Sequence, residues 1–245
     1  MKGTRRWVLS GAVASIASPV VARWADPLPE GLIFFVGNSF TRQHDVPGLV
    51  CRIARESGFT AHCHRQTANG ARLISTIDVP ERLAEDWQGS VPARVVLQDH
   101  SVVPLSAEDR AGSARAMAAW DDRFQGTVLF ETWPRRSGHP LYDQPGMPSG
   151  PDEMANLTQA HYRTQAARLG AVIAPVASAW IAAGRRGLDL YAHDGYHANL
   201  SGAWLAAMLL ARALDVPAPF DARPPEGVTI SQANDLAEIA SDTVA

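Results

Sequence analysis

Short apolar runs alternate along this chain with longer segments whose apolar residues recur at helical spacing. The runs fall at 32–36, 60–65, 94–98, 127–132 and 171–176, and the helical segments at 46–57, 107–124, 152–169, 177–185 and 201–214. Strands that are apolar on both faces must be covered on both faces, so helices have to lie above and below them. Five strands in that rhythm predict an α/β fold: a three-layer α/β/α sandwich with a five-stranded parallel sheet, flavodoxin-like in arrangement. The composition agrees, since 46% hydrophobic and 19% charged residues over 245 positions suit a single soluble domain. Residues 134–151 are rich in Pro, Gly and Ser and read as a long surface loop after the fourth strand. That is the end of the sheet where open α/β folds bind ligands. A last segment, 231–244, opens on an N-cap Ser and is expected to be a peripheral helix.

The first residues read differently. Thr4-Arg5-Arg6-Trp7-Val8-Leu9 is a twin-arginine pattern, and an uncharged stretch runs on to Ala22. Residues 1–25 are therefore expected to be an export signal, and 26–245 a single domain that works in the periplasm or outside a bacterial cell. No later segment is long and apolar enough to span a membrane. A net charge of −3 argues against nucleic acid as a partner. The two cysteines, Cys51 on the first helix and Cys63 on the second strand, are read as buried thiols, although an oxidising compartment would permit a bridge. His62 and His64 flank Cys63, but no third ligand stands at a useful spacing, so no metal site is expected.

Two short stretches carry chemistry. Gly37-Asn38-Ser39-Phe40-Thr41 follows the first apolar run and precedes the first long helix. A Ser at a strand-to-helix turn is exposed, with its N–H turned outward, which suits a nucleophile. Far downstream, Asp194-Gly195-Tyr196-His197 holds an acid and an imidazole close together. His197 is the expected base and Asp194 its orienting partner, on a turn that Asp-Gly favours. Each piece alone has a plainer reading: a helix cap for Ser39, a loop pair for the other two. Their order on an α/β rhythm is what gives them weight.

These blocks resemble those of the SGNH, or GDSL-like, hydrolases, and in particular a bacterial branch whose first block reads GNSFT. The likeness runs from Gly31 to about Leu214 and includes His44-Asp45-Val46-Pro47 and the helix start Leu200-Ser201-Gly202-Ala203-Trp204. It implies the SGNH hydrolase fold and a serine esterase acting through an acyl-serine intermediate with no cofactor. The expected partner is a small-molecule or glycan ester, O-acetyl groups on a carbohydrate among them. The likeness also implies an oxyanion hole made by the N–H groups of Ser39 and Gly70 and a side-chain amide. The family's Gly-x-Asn-Asp is replaced by Val95-Val96-Leu97-Gln98-Asp99-His100-Ser101, so Gln98 is the expected third donor. Asn38, His100 and Trp133 are candidate substrate contacts, whereas Arg72, Arg135 and Arg136 read as ordinary surface charges, with an anionic substrate left open. A non-catalytic carbohydrate-binding protein, an O-acyltransferase, or a binder of phosphate or flavin on the same fold remain open on the sequence.

Overall fold

The computed structural model describes residues 31–79, 94–124 and 126–245, so the twin-arginine segment lies outside the described residues. One sheet carries five strands, all parallel: β1 (Gly31–Gly37), β2 (Ala61–Thr67), β3 (Arg94–Leu97), β4 (Thr127–Phe130) and β5 (Val172–Ala174). Their order is β2-β1-β3-β4-β5, the expected flavodoxin-like order. The chain leaves β1 toward one side and β3 toward the other, which opens a crevice between the C-terminal ends of these neighbours.

The alternation of side chains along β1 explains the two cores. Ile33 and Phe35 face one layer, where α2 (Val46–Glu56), α5 (Val176–Arg185), α6 (Leu200–Ala213) and α7 (Ile230–Val244) pack. Phe34 and Val36 face the other, against Met117 and Trp120 of α3 (Ala107–Asp121) and Tyr162 of α4 (Pro151–Leu169). Helix α6 is buried almost all round, as its continuous apolar sequence requires. Among the described residues no helix is long and apolar enough to cross a membrane.

Two expectations change. Cys51 and Cys63 are not free thiols but form a disulfide, with their Cα atoms 6.0 Å apart. The register accounts for it. Cys63 lies opposite Ile33, hence on the face that α2 covers, and α2 carries Cys51 down onto that face. The link from β1 to α2 is also more elaborate than one turn. A four-residue helix, α1 (Ser39–Arg42), comes first, and then His44 and Asp45 adopt left-handed backbone with φ of 52° and 51°. Such conformations are unfavourable for these residue types and persist where surrounding contacts hold them. The His44 ring nitrogen Nε2 meets the Ala198 carbonyl at 3.2 Å, and Asp45 pairs with Arg65.

Candidate active site

The end of β1 is shaped by what surrounds Gly37. A Cβ there would lie 2.4 Å from Thr41 Oγ1 and 2.5 Å from Gln98 Oε1, so only glycine lets the chain turn at this point. Beyond it the Asn38 side chain caps α1, its Oδ1 accepting from the Phe40 N–H at 3.0 Å. Its Nδ2 donates to the Ala71 carbonyl at 3.0 Å. The turn therefore presents Ser39 half-buried at the rim, at the first position of α1.

The second stretch folds on its own aspartate. Asp194 Oδ1 accepts the N–H of Tyr196 at 3.0 Å and of His197 at 2.9 Å, and Gly195 takes φ of 72° to close the turn. Asp194 Oδ2 meets His197 Nδ1 at 2.6 Å, and His197 Nε2 meets Ser39 Oγ at 2.8 Å. A carboxylate is an acceptor only, so Nδ1 carries the proton and Nε2 presents its lone pair to the Ser39 hydroxyl. Partial burial pulls the Asp194 carboxyl up, but hydrogen bonds from the His197 ring and from the backbone N–H groups of His197 and Tyr196 outweigh it and hold it at about 2. Asp194 is thus an anion throughout the working pH range.

The walls are aromatic. Phe40, next to the nucleophile, lies 5.5 Å from the His197 ring and 4.5 Å from Trp133. Trp133 is 1% exposed, stacks on Trp180 at 4.2 Å, and donates from Nε1 to the Tyr196 carbonyl at 2.9 Å. It packs on Phe40 and holds the Tyr196 carbonyl but offers no surface to a substrate, which corrects its reading as a substrate contact. Asn38 is corrected in the same way. It is 1% exposed, and both ends of its amide are used in the turn. His100 is only half-buried, and its Nδ1 accepts from the Val102 N–H at 3.4 Å. Burial, then the fields of Arg135 and Arg72, keep its imidazole neutral to lower pH than usual.

Gln98 also departs from expectation. It is 1% exposed, and its Oε1 accepts from the Asn38 N–H at 3.0 Å and from the Thr41 hydroxyl at 2.9 Å. An N–H can only be received by the oxygen, so the amide orientation is fixed by its partners. Nε2 then donates to the Asp99 carbonyl. The longer stem that makes Gln98 look like a substitute for Asn carries its amide under the nucleophile's turn, where it acts as a structural clasp. Two expected donors are differently placed. The Ser39 N–H is bonded to no group among the described residues. Gly70, at φ of 64°, sits in a turn closed by the Ala71 N–H to the Ala68 carbonyl, with its own N–H likewise unused. That turn is tied to the nucleophile's loop by Asn38 to Ala71, by Arg42 to Asn69 at 2.7 Å, and by the Ala68 N–H to the Gly37 carbonyl at 3.4 Å.

The sequence reading did not single out Arg135 from its neighbours. Classed there as a surface charge, it is 8% exposed. Its guanidinium carbon lies 4.3 Å from the Tyr196 ring centre and 5.9 Å from that of Phe40. A Pro-Arg-Arg triplet after a strand gives no sign of which arginine turns inward; Arg136 pairs with Asp189 at 2.9 Å in solvent. Among the described residues no cluster of His, Cys, Asp and Glu is arranged to hold a metal.

No protein-family model matches the sequence, and no curated protein matches it significantly. Solved structures do. A protein of Slackia heliotrinireducens, described as a candidate SGNH hydrolase, is 27% identical, with a TM-score of 0.62 over 75% of this chain and 98% of its own. A DUF4886 family protein from Bacteroides uniformis is 16% identical, with a TM-score of 0.73 over 87% of this chain and 94% of its own. An acetyl xylan esterase from Geobacillus stearothermophilus is 14% identical and superposes with a TM-score of 0.55 over 76% of this chain and 95% of its own.

Proposed function

We infer that this chain, which belongs to the SGNH (GDSL-like) hydrolases, is a serine esterase that cleaves carboxylic esters through an acyl-Ser39 intermediate. The observation that carries the reading is the unbroken line from Asp194 through His197 to Ser39, at 2.6 and 2.8 Å. Ser39 Oγ attacks the ester carbonyl carbon as His197 Nε2 takes its proton. The carbonyl oxygen becomes an oxyanion that the unused N–H groups of Ser39 and Gly70 can receive. The oxyanion then re-forms the carbonyl as the bond to the alkoxide oxygen breaks, His197 gives its proton to that oxygen, and the alcohol departs while the acyl group stays on Ser39. Water, deprotonated by the same nitrogen, attacks the acyl carbon and releases the acid and Ser39.

O-acetyl groups on a carbohydrate are the substrate class we favour, because the acetyl xylan esterase shares the fold. Export by the twin-arginine route, into the periplasm or beyond, fits both Arg5-Arg6 and the Cys51–Cys63 bridge, since disulfides persist in oxidising compartments. A panel of acyl esters and acetylated glycans tests the reading, with Ser39→Ala and His197→Ala as controls. Each substitution should lower turnover by ~10³ or more while leaving the circular dichroism spectrum intact. Near wild-type turnover by Ser39→Ala on every active ester would overturn the mechanism.

A further inference from the structure

Arg135 is a buried cation without an anion. Its Nε and Nη1 are enclosed and have no hydrogen-bond partner, and no carboxylate lies within ion-pair distance among the described residues. The carboxylate whose charge is felt at Arg135 is Asp194, and its oxygens are engaged with the His197 ring and two backbone N–H groups. Ring faces of Phe40 and Tyr196 offset part of the desolvation of a guanidinium, but they give its N–H groups no acceptor. The charges of Asp99 and Asp109 are felt at His100, but neither carboxylate pairs with Arg135 among the described residues. His100 and His139 both feel the Arg135 field, after burial, as a push toward the neutral form, and Arg72 nearby is already paired with Asp109.

Nothing about the position is loose. The Tyr142 hydroxyl donates to the Arg135 carbonyl at 2.7 Å, and the Tyr191 hydroxyl donates to the Pro134 carbonyl at 3.0 Å. The two rings that flank the guanidinium belong to the immediate sequence neighbours of Ser39 and His197. An unpaired, preplaced arginine beside a nucleophile is suited to a planar anion.

The geometry points to Arg135 as a specificity-determining residue that receives a carboxylate carried by the ester substrate close to the scissile bond. This rests on the esterase reading and narrows it to acidic esters, such as acyl groups on an acidic sugar or half-esters of a dicarboxylic acid. The 8% of Arg135 that stays exposed is the surface through which a carboxylate would reach the guanidinium.

Two matched pairs of esters test it. para-Nitrophenyl hemisuccinate against its methyl ester places the charge on the acyl side. para-Acetoxybenzoate against its methyl ester places it on the alcohol side. The wild type should favour the anionic member of at least one pair by about tenfold or more in kcat/KM, chiefly through KM. Arg135→Met should bring that ratio to within about threefold of unity. No preference in either pair, or a preference that survives Arg135→Met, overturns the proposal. Should Arg135→Met fail to fold, Arg135→Lys is held to the same ratio: a selective rise in KM for the anionic member supports the role, and an unchanged ratio overturns it. Calorimetry of para-acetoxybenzoate on Ser39→Ala and on Ser39→Ala/Arg135→Lys separates the two readings, because it needs no turnover. If no ester is cleaved by the wild type, the esterase reading fails alone. Binding weakened about tenfold by the arginine substitution still supports the anion role, and equal binding removes it.

Discussion

Asp194 performs two tasks with one carboxylate. One oxygen holds the turn that carries Tyr196 and His197, and the other fixes the imidazole tautomer. Asp194→Asn keeps an acceptor for the backbone but offers an N–H or a neutral oxygen to Nδ1. It should lower kcat by up to ~10⁴ with KM changed far less, and this is read by steady-state kinetics on the best ester. The same substitution has a stability signature. A carboxyl held at about 2 stabilises the folded state at pH above its ordinary value near 3.8, and that contribution is lost as pH falls from there through about 2. The melting temperature of Asp194→Asn should therefore fall less steeply than the wild type's below pH 4; parallel curves would contradict the assignment. At this scale Ser39, Asp194 and His197 stood out in the sequence by type and order, and the structure brings them into one hydrogen-bonded line. The sequence left an anionic substrate open for three arginines without marking which one turns inward, and it pointed Gln98 at the oxyanion, because burial and the direction of a side chain depend on neighbours sixty residues away, such as Asn38 for Gln98.

At the C-terminal end of β1, small polar contacts add to the apolar packing of the strand. Gln98, at the end of β3, supplies the acceptor for Asn38 and Thr41, and Gly37 leaves the room for it. Gln98→Ala would strand a buried N–H and a buried hydroxyl, at about 1–3 kcal/mol each. Urea unfolding should show that loss, and activity should fall with it because Ser39 rides on the same turn. A variant as stable as the wild type but slow would instead return Gln98 to the oxyanion. The strands and long helices were legible because short apolar runs alternate with longer mixed segments along the chain. The one-turn α1 and the left-handed pair His44-Asp45 were not, since no local signal marks two non-glycine residues that long-range contacts force into that conformation. The bridge between α2 and β2 was equally hidden, because pairing depends on which face Cys63 takes, and that follows from register with β1. Twelve residues separate the two cysteines, so by the chain-entropy estimate the link is worth about 3 kcal/mol. Paired substitution to Ser should lower stability by that order in chemical denaturation while leaving kcat near the wild-type value.

The molecule as a whole carries a buried carboxyl that favours acid conditions. Glu131, just past β4, is 2% exposed, and burial pushes its carboxyl up to about 8 despite a backbone N–H from Ala177 and the more distant charge of Arg163. The folded state thus holds a proton that the unfolded chain releases near pH 4.5. Stability gained from that proton is complete below about 4.5 and declines as pH climbs toward 8, at about 1.4 kcal/mol per pH unit. Glu131→Gln should flatten the dependence of melting temperature on pH across this window; an unchanged slope would mean the carboxyl is ionised in the fold. A different consequence follows from the span between nucleophile and base. Ser39 and His197 stand 158 positions apart, so their contact exists only after the chain has closed on itself across the sheet. Chains of this size commonly pass through collapsed states in which local helices precede distant pairings. Turnover therefore serves as a clock for the last step of refolding. On dilution from denaturant, with the disulfide left intact, far-ultraviolet ellipticity should recover first. Ester cleavage should return only with the slowest phase, alongside the near-ultraviolet signal of the stacked Trp133 and Trp180.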